Sequence, residues 1–280
     1  MNDLHTNIIK VSGKNIANFF QNIITNDIYN LTNHNALYSS ILTPQGKYLI
    51  DFFIIKEKDN YILECNDKQT EKLIKEFKKY DIRNDITFSL SNELKSHLIL
   101  SKDLNEYFKK KLLNKELVND KEFIFFKDPR SKGFLIRVWA KEKILSEKKI
   151  ISSTQKEIDL ERIKRTIPNS EKDMEQNKSF ILNYNFENLN AISFKKGCFI
   201  GQENTARQKY RGTQKYSLKT IKSLNGSFPK INEDIFLENE KIGTMKSSVS
   251  NYGLCIIRNE KRILNLETIE SDEQISFQFV

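Results

Sequence analysis

Residues 196–203 read KGCFIGQE and place a cysteine, Cys198, between two glycines. Glycine tolerates a positive φ and the close approach of another backbone, so this spacing predicts a turn that holds the thiol. Residues 202–210 have the composition of a helix, which would put Cys198 just before a helix N-terminus. Two lysines, Lys195 and Lys196, add positive charge beside it. These surroundings favour the thiolate, the reactive form of cysteine, and make Cys198 the candidate catalytic residue.

The alternative for Cys198 is a small buried apolar residue, as free cysteines often are. The other two cysteines, Cys65 and Cys255, lie inside apolar strand patterns and are interpreted as core residues. All three are far apart in the chain and lack CxxC spacing. They therefore predict neither a disulfide framework nor a four-ligand zinc or cluster site within one chain, and no tightly bound metal is expected.

Nucleophilic catalysis by a cysteine needs a nearby base, and none of the histidines, His5, His34 and His97, is locally placed to serve Cys198. The sequence also contains no Walker loop, GxGxxG or HExxH motif. A Cys–His hydrolase, a nucleotide enzyme and a zinc enzyme are thus disfavoured. An accessory role is favoured over turnover, although enzymatic activity stays open.

The chain has 280 residues, of which 38% are hydrophobic and 30% charged, a composition typical of a soluble globular protein. Its formal net charge of +9 would suit an acidic partner such as nucleic acid or a polyanionic cofactor. Because the lysines are scattered, charge predicts at most a weak contact with tRNA. Residues 1–11 lack the layout of a signal or transit peptide, and no apolar run approaches the roughly 18 residues of a membrane span. We therefore expect a cytoplasmic protein with no membrane contact.

Apolar residues at helical spacing predict a helix at 14–24, and two strand-like runs around Thr43-Pro44-Gln45-Gly46-Lys47 predict a β-hairpin. A further strand, a helix at 69–80 and a short strand complete a compact α+β module. A second α+β unit follows, with a helix at 157–165. After Gly212, short strands alternate with turn residues, which is the rhythm of a small antiparallel β-barrel. The predicted domains are 1–95, 96–212, which carries the KGCFIGQE motif, and 213–280.

The KGCFIGQE motif resembles the signature K-G-C-F/Y-x-G-Q-E of the YgfZ proteins, which are relatives of the glycine-cleavage T-protein, an aminomethyltransferase. Other stretches resemble further motifs of that family, so the similarity covers most of the chain. They are the T-N-D turn at 25–27, the L-T-P-Q-G-K hairpin from residue 42, the D-P-R at 128–130, the R-x-x-x-G-I-P at 162–168 and the G-K-x-V-G-x-x-T-S strand pair at 240–247.

The resemblance implies a T-protein-like α+β fold, in which a ring of subdomains surrounds a central folate cavity, with a small C-terminal antiparallel β-barrel. It implies that tetrahydrofolate or a derivative is the bound ligand. The implied function is accessory, namely the assembly or repair of 4Fe–4S clusters in iron–sulfur enzymes, including radical enzymes that modify tRNA. The implied partners are iron–sulfur assembly factors and client 4Fe–4S enzymes.

By the same resemblance, Cys198 is the residue on which that role depends. The supporting residues around it are Lys196, Gly197, Gly201, Gln202, Glu203 and Arg207. The candidate cofactor-binding residues are Asn26, Asp51 and Arg162.

Two positions on the family motifs depart from the expected pattern. Thr166 stands where the family usually has glycine, so the backbone of that turn is in question. Ile50 precedes a single Asp51, whereas the T-protein hairpin carries paired acidic residues, and the T-protein lacks the cysteine. The last two differences weaken the alternative function, a tetrahydrofolate-dependent one-carbon (aminomethyl) transferase with Asp51 as acid or base. Asp51 would otherwise be an ordinary solvated strand residue.

Overall fold

The computed structural model describes residues 5–91, 93–120, 122–147, 153–270 and 275–280. These residues form three antiparallel sheets with short helices packed against them. Among them, no helix is long and apolar enough to cross a membrane.

The first sheet has the spatial strand order β2-β3-β4-β1-β5. Its strands are β1 (Thr6–Gly13), β2 (Ala36–Leu42), β3 (Tyr48–Glu57), β4 (Asn60–Asn66) and β5 (Ile86–Leu90). Helices α1 (Ile16–Gln21) and α2 (Thr70–Lys78) cover one face. The predicted hairpin, β2–β3, is confirmed. The helix predicted at 14–24 ends earlier, at Gln21, because the backbone N–H of Thr25 is already bonded to Ser40 of β2.

Strand β3 is buried on both of its faces. Ile50, Phe52 and Ile54 belong to the core under the two helices, whereas Phe53 and Ile55 belong to a core shared with the second sheet. Side chains alternate along a strand, so Asp51 shares the face of Phe53 and points away from the helices. This alternation is what brings Asp51 to the inner side of the molecule.

The second sheet has the order β6-β9-β8-β7. Its strands are β6 (Lys95–Leu100), β7 (Leu117–Asn119), β8 (Phe123–Lys127) and β9 (Leu135–Ala140), and its helices are α3 (Glu106–Leu112) and α4 (Glu142–Glu147). One face packs on these helices through Phe108, Phe123 and Phe125. The other face presents Phe126 and Trp139 to the first sheet.

Three helices and long loops connect the second sheet to the third. They are α5 (Gln155–Lys164), α6 (Ser170–Asp173) and α7 (Gln202–Tyr210). Helix α5 begins two residues before the predicted position, because Thr154 and Glu157 form a reciprocal capping box at its N-terminus. The helix ends before Pro168, as predicted.

The third sheet has the order β11-β12-β13-β10-β15-β14, and it confirms the predicted antiparallel barrel-like unit. Its elements are β10 (Tyr216–Ser223), β11 (Asp234–Leu237), β12 (Glu240–Val249), β13 (Tyr252–Arg258), α8 (Lys261–Leu264), β14 (Ile269–Glu270) and β15 (Ser276–Phe279). One buried cluster joins side chains of all three sheets, including Phe53, Trp139 and Leu254. The domain limits at 95 and 212 stay a prediction.

The turn at Thr166 keeps the left-handed backbone, with φ 54°, that the usual glycine adopts easily. A β-branched residue is strained in this region. Hydrogen bonds support it here, since the Thr166 hydroxyl lies 2.8 Å from that of Thr220 and the backbone N–H donates to the Ile163 carbonyl at 2.9 Å. The departure from glycine therefore leaves the turn in place.

Candidate functional site

Cys198 is exposed on the loop that leads into α7. The alternative of a buried apolar residue is therefore wrong for this cysteine, whereas Cys65 and Cys255 are buried as expected. Phe199, the next residue, is buried in the shared core, and Ile200 packs against the core of the first sheet. These two anchors hold the loop from below and present the Cys198 thiol to solvent.

The two glycines that flank Cys198 have different structural roles. Gly201 has φ +81° at the N-terminus of α7, and a Cβ there would lie 2.5 Å from the Thr43 carbonyl oxygen and 3.0 Å from the Gly46 Cα. Gly46 has φ +76° and faces Gly201 in return. Gly197 has no positive φ, and a Cβ added to it would meet no atom within 4 Å. The expected close approach of two backbones is thus found at Gly201, where the cysteine loop meets the β2–β3 hairpin, and not at Gly197.

Lys196 connects the cysteine loop to the turn at residues 25–27 through two hydrogen bonds. Its Nζ donates to the carbonyl oxygens of Ile24 at 2.7 Å and Asn26 at 2.8 Å. Thr25 adds a hydroxyl hydrogen bond of 2.7 Å to the Ala191 carbonyl and accepts from the Ser193 N–H at 3.1 Å. The T-N-D turn and the KGCFIGQE loop are therefore one structural unit, although more than 160 residues separate them in the chain.

The side-chain amide of Asn26, a predicted cofactor-binding residue, is used within this unit. It donates to the carbonyl oxygens of Tyr38 at 2.9 Å and Asn190 at 2.7 Å, and its Oδ1 accepts from the Asp27 N–H. These contacts give Asn26 a structural role in the turn.

Burial lowers the pKa of Lys196 to about 8, against the opposing charge of Asp27. In the unfolded chain an amino group of this kind titrates near 10.4. Between these two values the folded state has lost the proton and the unfolded state has kept it, so rising pH stabilises the folded state. Below pH 8 both states are charged and the contribution is constant.

We therefore expect the unfolding free energy of the wild type, minus that of Lys196→Met, to increase from pH 8 toward pH 10. Urea unfolding at several pH values measures it. A difference that stays constant over this range would contradict the titration of Lys196. Lys195→Met, at the exposed neighbouring position, is the matched control for the loss of a lysine from this loop.

The remaining residues of the motif lie along α7. Glu203 and Arg207 form an exposed i, i+4 ion pair, which contributes little to stability. Gln202 is half-buried at the first turn of α7. Asn204 donates its side-chain amide to the Gln45 carbonyl at 3.0 Å and so adds to the contact with the hairpin.

The three cysteines differ sharply in accessibility, which makes a direct prediction possible. Burial raises the pKa of Cys65 to about 12 and raises that of Cys255 as well. The native protein should therefore react rapidly with one equivalent of iodoacetamide, at Cys198, and with three equivalents after denaturation. Mass spectrometry of the peptides measures this, and rapid native labelling at Cys65 would contradict it.

A cavity of about 590 Å³ lies between the first sheet, the second sheet and helices α5 and α6. Two of the three predicted cofactor-binding residues, Asp51 and Arg162, line it. Asn26 does not line it, and neither does any residue of the KGCFIGQE motif. The candidate site thus has two parts, an inner cavity and an exposed thiol.

Asp51 is held in the cavity wall by two tyrosines. The hydroxyl groups of Tyr38 and Tyr48 each donate to one of its carboxylate oxygens at 2.6 Å. Burial, with the added charge of Asp51, raises the pKa of both tyrosines well above the ordinary value, so they stay protonated donors. A carboxylate offers about four acceptor positions, so two remain for a ligand.

A buried network of ionised side chains contributes Glu64, Arg130 and Arg137 to the same cavity, and local sequence patterns give little sign of it. Arg137 donates to Glu64 at 2.5 Å and to Asp128 at 3.1 Å, and Trp139 Nε1 donates to the second oxygen of Glu64 at 2.5 Å. Arg130 forms a two-fold contact with Asp128, at 3.0 and 2.8 Å.

The charges of this network are balanced within the cavity wall. Burial alone would raise the pKa of Asp128, but Arg130 and Arg137 outweigh it and lower the pKa. The Arg137 guanidinium also stacks 3.7 Å from the centre of the Phe53 ring. Of this group, the D-P-R motif was the part that could be read from the sequence.

Arg162 joins the cavity to the third sheet. Its guanidinium donates to Asp159 at 2.5 Å and to Asp173 at 3.2 Å. Asp173 in turn accepts from the Ser247 backbone N–H at 2.8 Å. The R-x-x-x-G-I-P and G-K-x-V-G-x-x-T-S motifs are therefore connected through one buried carboxylate.

The structure has a T-protein-like fold and carries an exposed cysteine on the loop before α7. The chain superposes on a glycine cleavage system aminomethyltransferase T from Bartonella henselae with a TM-score of 0.75, covering 99% of this chain and 83% of that one at 12% identity. The predicted T-protein-like fold is confirmed. No family model matches the chain.

Curated relatives are similar to the chain over most of its length. The chain is 29% identical to an IBA57 homolog from Neurospora crassa, a mitochondrial iron-sulfur cluster assembly factor, over 81% of this chain and 54% of the relative. It is 26% identical to the tRNA-modifying protein YgfZ from Aliivibrio fischeri, over 79% of this chain and 70% of the relative. The chain is thus a homologue of the YgfZ and IBA57 proteins. It spans about half the length of the mitochondrial relatives that it matches.

Proposed function

We propose that this protein is a folate-binding accessory factor for the assembly or repair of 4Fe–4S clusters in iron–sulfur enzymes, including tRNA-modifying radical enzymes. The observation that carries the proposal is the exposed Cys198 on a loop locked to the hairpin and the T-N-D turn. The names of the relatives, an iron-sulfur cluster assembly factor and a tRNA-modifying protein, support the same role.

Cys198 acts in this proposal as one anchoring or handling thiolate for a cluster that is cargo. Within the described ranges, no group of three or more His, Cys, Asp or Glu side chains is placed to hold a metal ion. The other ligands of the cluster would therefore come from an assembly factor, a client enzyme or a small thiol. The cluster is a substrate of the protein here and not its resident cofactor.

The inner cavity suits tetrahydrofolate as the proposed ligand. Its volume of about 590 Å³ lies within the range of small-molecule sites. Asp51 has acceptor positions left for the N–H groups of a pterin ring, and the exposed Lys172 supplies positive charge for a glutamate tail. Bound tetrahydrofolate would supply a one-carbon carrier, while the residues of this chain bind and orient it.

Thermal unfolding with tetrahydrofolate tests the folate part. A ligand present at about 100 times its Kd stabilises the native state by roughly 2.7 kcal/mol, so the melting temperature should rise by several degrees. Asp51→Asn should weaken binding, whereas Asp59→Asn, in the exposed β3–β4 turn, should not. The absence of any shift at saturating tetrahydrofolate would remove folate from the proposal.

Complementation of a strain that lacks its YgfZ-type factor tests the cluster part. The wild type should restore the activity of a 4Fe–4S enzyme, and Cys198→Ser should not. Cys255→Ala removes a thiol from the barrel core and leaves Cys198 in place, so it serves as the matched control. Full restoration by Cys198→Ser would contradict the role of the thiol.

A direct assay for methylenetetrahydrofolate formation separates this proposal from the transferase alternative. Asp51 would have to act as acid or base there, and both of its oxygens accept hydrogen bonds from tyrosines. Steady turnover that Asp51→Asn abolishes would favour the transferase. The cytoplasmic location, and contacts with assembly factors, client enzymes and tRNA, stay predictions of this proposal.

A further inference from the structure

The mouth of the inner cavity holds a carboxylate of the chain itself. The exposed residues of the cavity lining mark this mouth, and they are His5, Gln155, Glu171 and Lys172. The oxygens of Glu171, in α6, accept from the Lys68 ammonium at 2.6 Å and from the side-chain amide of Asn66 at 3.1 Å. The hydrogen bond from Lys68 lowers the pKa of Glu171, so the group held there is ionised at neutral pH. Asn66 and Lys68 thus form a site that binds a carboxylate.

The ion pair of Glu171 differs from the other ion pairs in the cavity wall. Glu64 and Asp159 also line the cavity, and each is paired with a buried arginine. Breaking a buried pair leaves a charge without its partner and is strongly destabilising. The side chains of Glu171 and Lys68 are 39% and 74% exposed, and exposed pairs contribute little to stability. Of these three carboxylates, Glu171 is therefore the one that can leave its cation at little cost.

A second cation lies beside this pair. Lys172 follows Glu171 in the chain, lines the same mouth and is exposed. Within the described residues, its ammonium group takes part in no ion pair and no side-chain hydrogen bond. The mouth therefore presents two lysines, of which one holds an exchangeable carboxylate and the other holds none. A ligand group that carries two carboxylates on a short chain, as glutamate does, matches this arrangement.

We propose that Asn66, Lys68 and Lys172 form a subsite for the glutamate carboxylates of the folate ligand, and that Glu171 occupies this subsite until the ligand replaces it. One ligand carboxylate takes over the hydrogen bonds of Asn66 and Lys68, and the other pairs with Lys172. Glu171 then turns to solvent. It acts as a competitor within the chain, which favours ligands that bring carboxylates of their own. This inference rests on the proposed function, because it assigns residues to the tail of the proposed ligand.

Calorimetric titration with two ligands tests the subsite. Tetrahydrofolate carries the glutamate, whereas tetrahydropteroate has the same ring system and ends before the glutamate. Glu171→Gln should strengthen tetrahydrofolate binding by roughly threefold to tenfold, and should change tetrahydropteroate binding by less than about twofold. Lys68→Gln should weaken tetrahydrofolate binding selectively. Glu106→Gln, which removes an exposed, lysine-paired carboxylate from α3, is the matched control and should bind both ligands as the wild type does.

Salt gives a second measure of the same contacts. Because the subsite is exposed, raising the ionic strength from about 0.05 M to about 0.5 M should weaken tetrahydrofolate binding more than tetrahydropteroate binding. Lys68→Gln should reduce this difference. An equal salt dependence of the two ligands in the wild type would overturn the subsite.

Equal strengthening of both ligands by Glu171→Gln would also overturn the subsite, because Glu171 would then only obstruct the mouth. Tetrahydrofolate binding that both Glu171→Gln and Lys68→Gln leave unchanged would do the same. Each of these results leaves folate binding, and with it the proposed function, standing. Failure of both ligands to bind the wild type and every variant would overturn folate binding and the subsite together. Without ligand, each variant should keep the wild-type melting temperature, since the exchanged side chains are exposed.

Discussion

Replacement of Arg137 by methionine is expected to lower the free energy of unfolding by roughly 3–5 kcal/mol, the cost of leaving buried charges without their partner. Arg137 bonds Glu64 and Asp128, each of which is 1% exposed. In the variant, Asp128 retains its ion pair with Arg130. The Glu64 carboxylate retains, of its described side-chain hydrogen bonds, only the one from the Trp139 N–H. Urea unfolding at pH 7 measures the loss.

The double variant Glu64→Gln/Arg137→Met is the control for this prediction. It removes the carboxylate together with its cation, so it should recover most of the loss, with a coupling energy that exceeds the error of the measurement. A loss of unfolding free energy below about 1 kcal/mol for Arg137→Met would contradict this prediction and would mean that water solvates Glu64 in place of the guanidinium.

The network around Arg137 also marks the limit of what the sequence could predict. In β4 and β9, Glu64 and Arg137 interrupt apolar runs and give no sign of pairing with each other, since 73 residues separate them. Periodicity assigns a strand and its faces, but it does not say which strand of another sheet lies opposite. The hairpin, α2 and the barrel strands were predictable because local turn residues and local spacing decide them.

The cysteine loop was predictable in part. The motif placed Cys198 before a helix, and the structure has α7 beginning at Gln202. The partners of Lys196 at Ile24 and Asn26 could not be read from the chain, because they depend on a contact across about 170 residues.

Gly201→Ala should lower the free energy of unfolding by about 2–4 kcal/mol, since it combines a left-handed backbone with a steric clash. The new Cβ would lie 2.5 Å from the Thr43 carbonyl and 3.0 Å from the Gly46 Cα, and backbone atoms of a tight hairpin cannot move aside cheaply. Relief of the clash must separate the cysteine loop from the hairpin, so the alkylation rate of Cys198 should change as well. Thermal unfolding and iodoacetamide labelling measure the two effects.

Gly197→Ala is the matched control, because its Cβ meets nothing within 4 Å and its φ is not positive. It should leave stability unchanged or raise it by up to about 1 kcal/mol through the unfolded state. Complementation then distinguishes two reasons for a glycine beside Cys198. A Gly197→Ala variant that is stable but inactive would show that a partner needs the open space at Gly197. A variant that is stable and active would show that, of the two glycines, only Gly201 is needed to position the thiol. Equal destabilisation by both substitutions would contradict the division of roles between the two glycines.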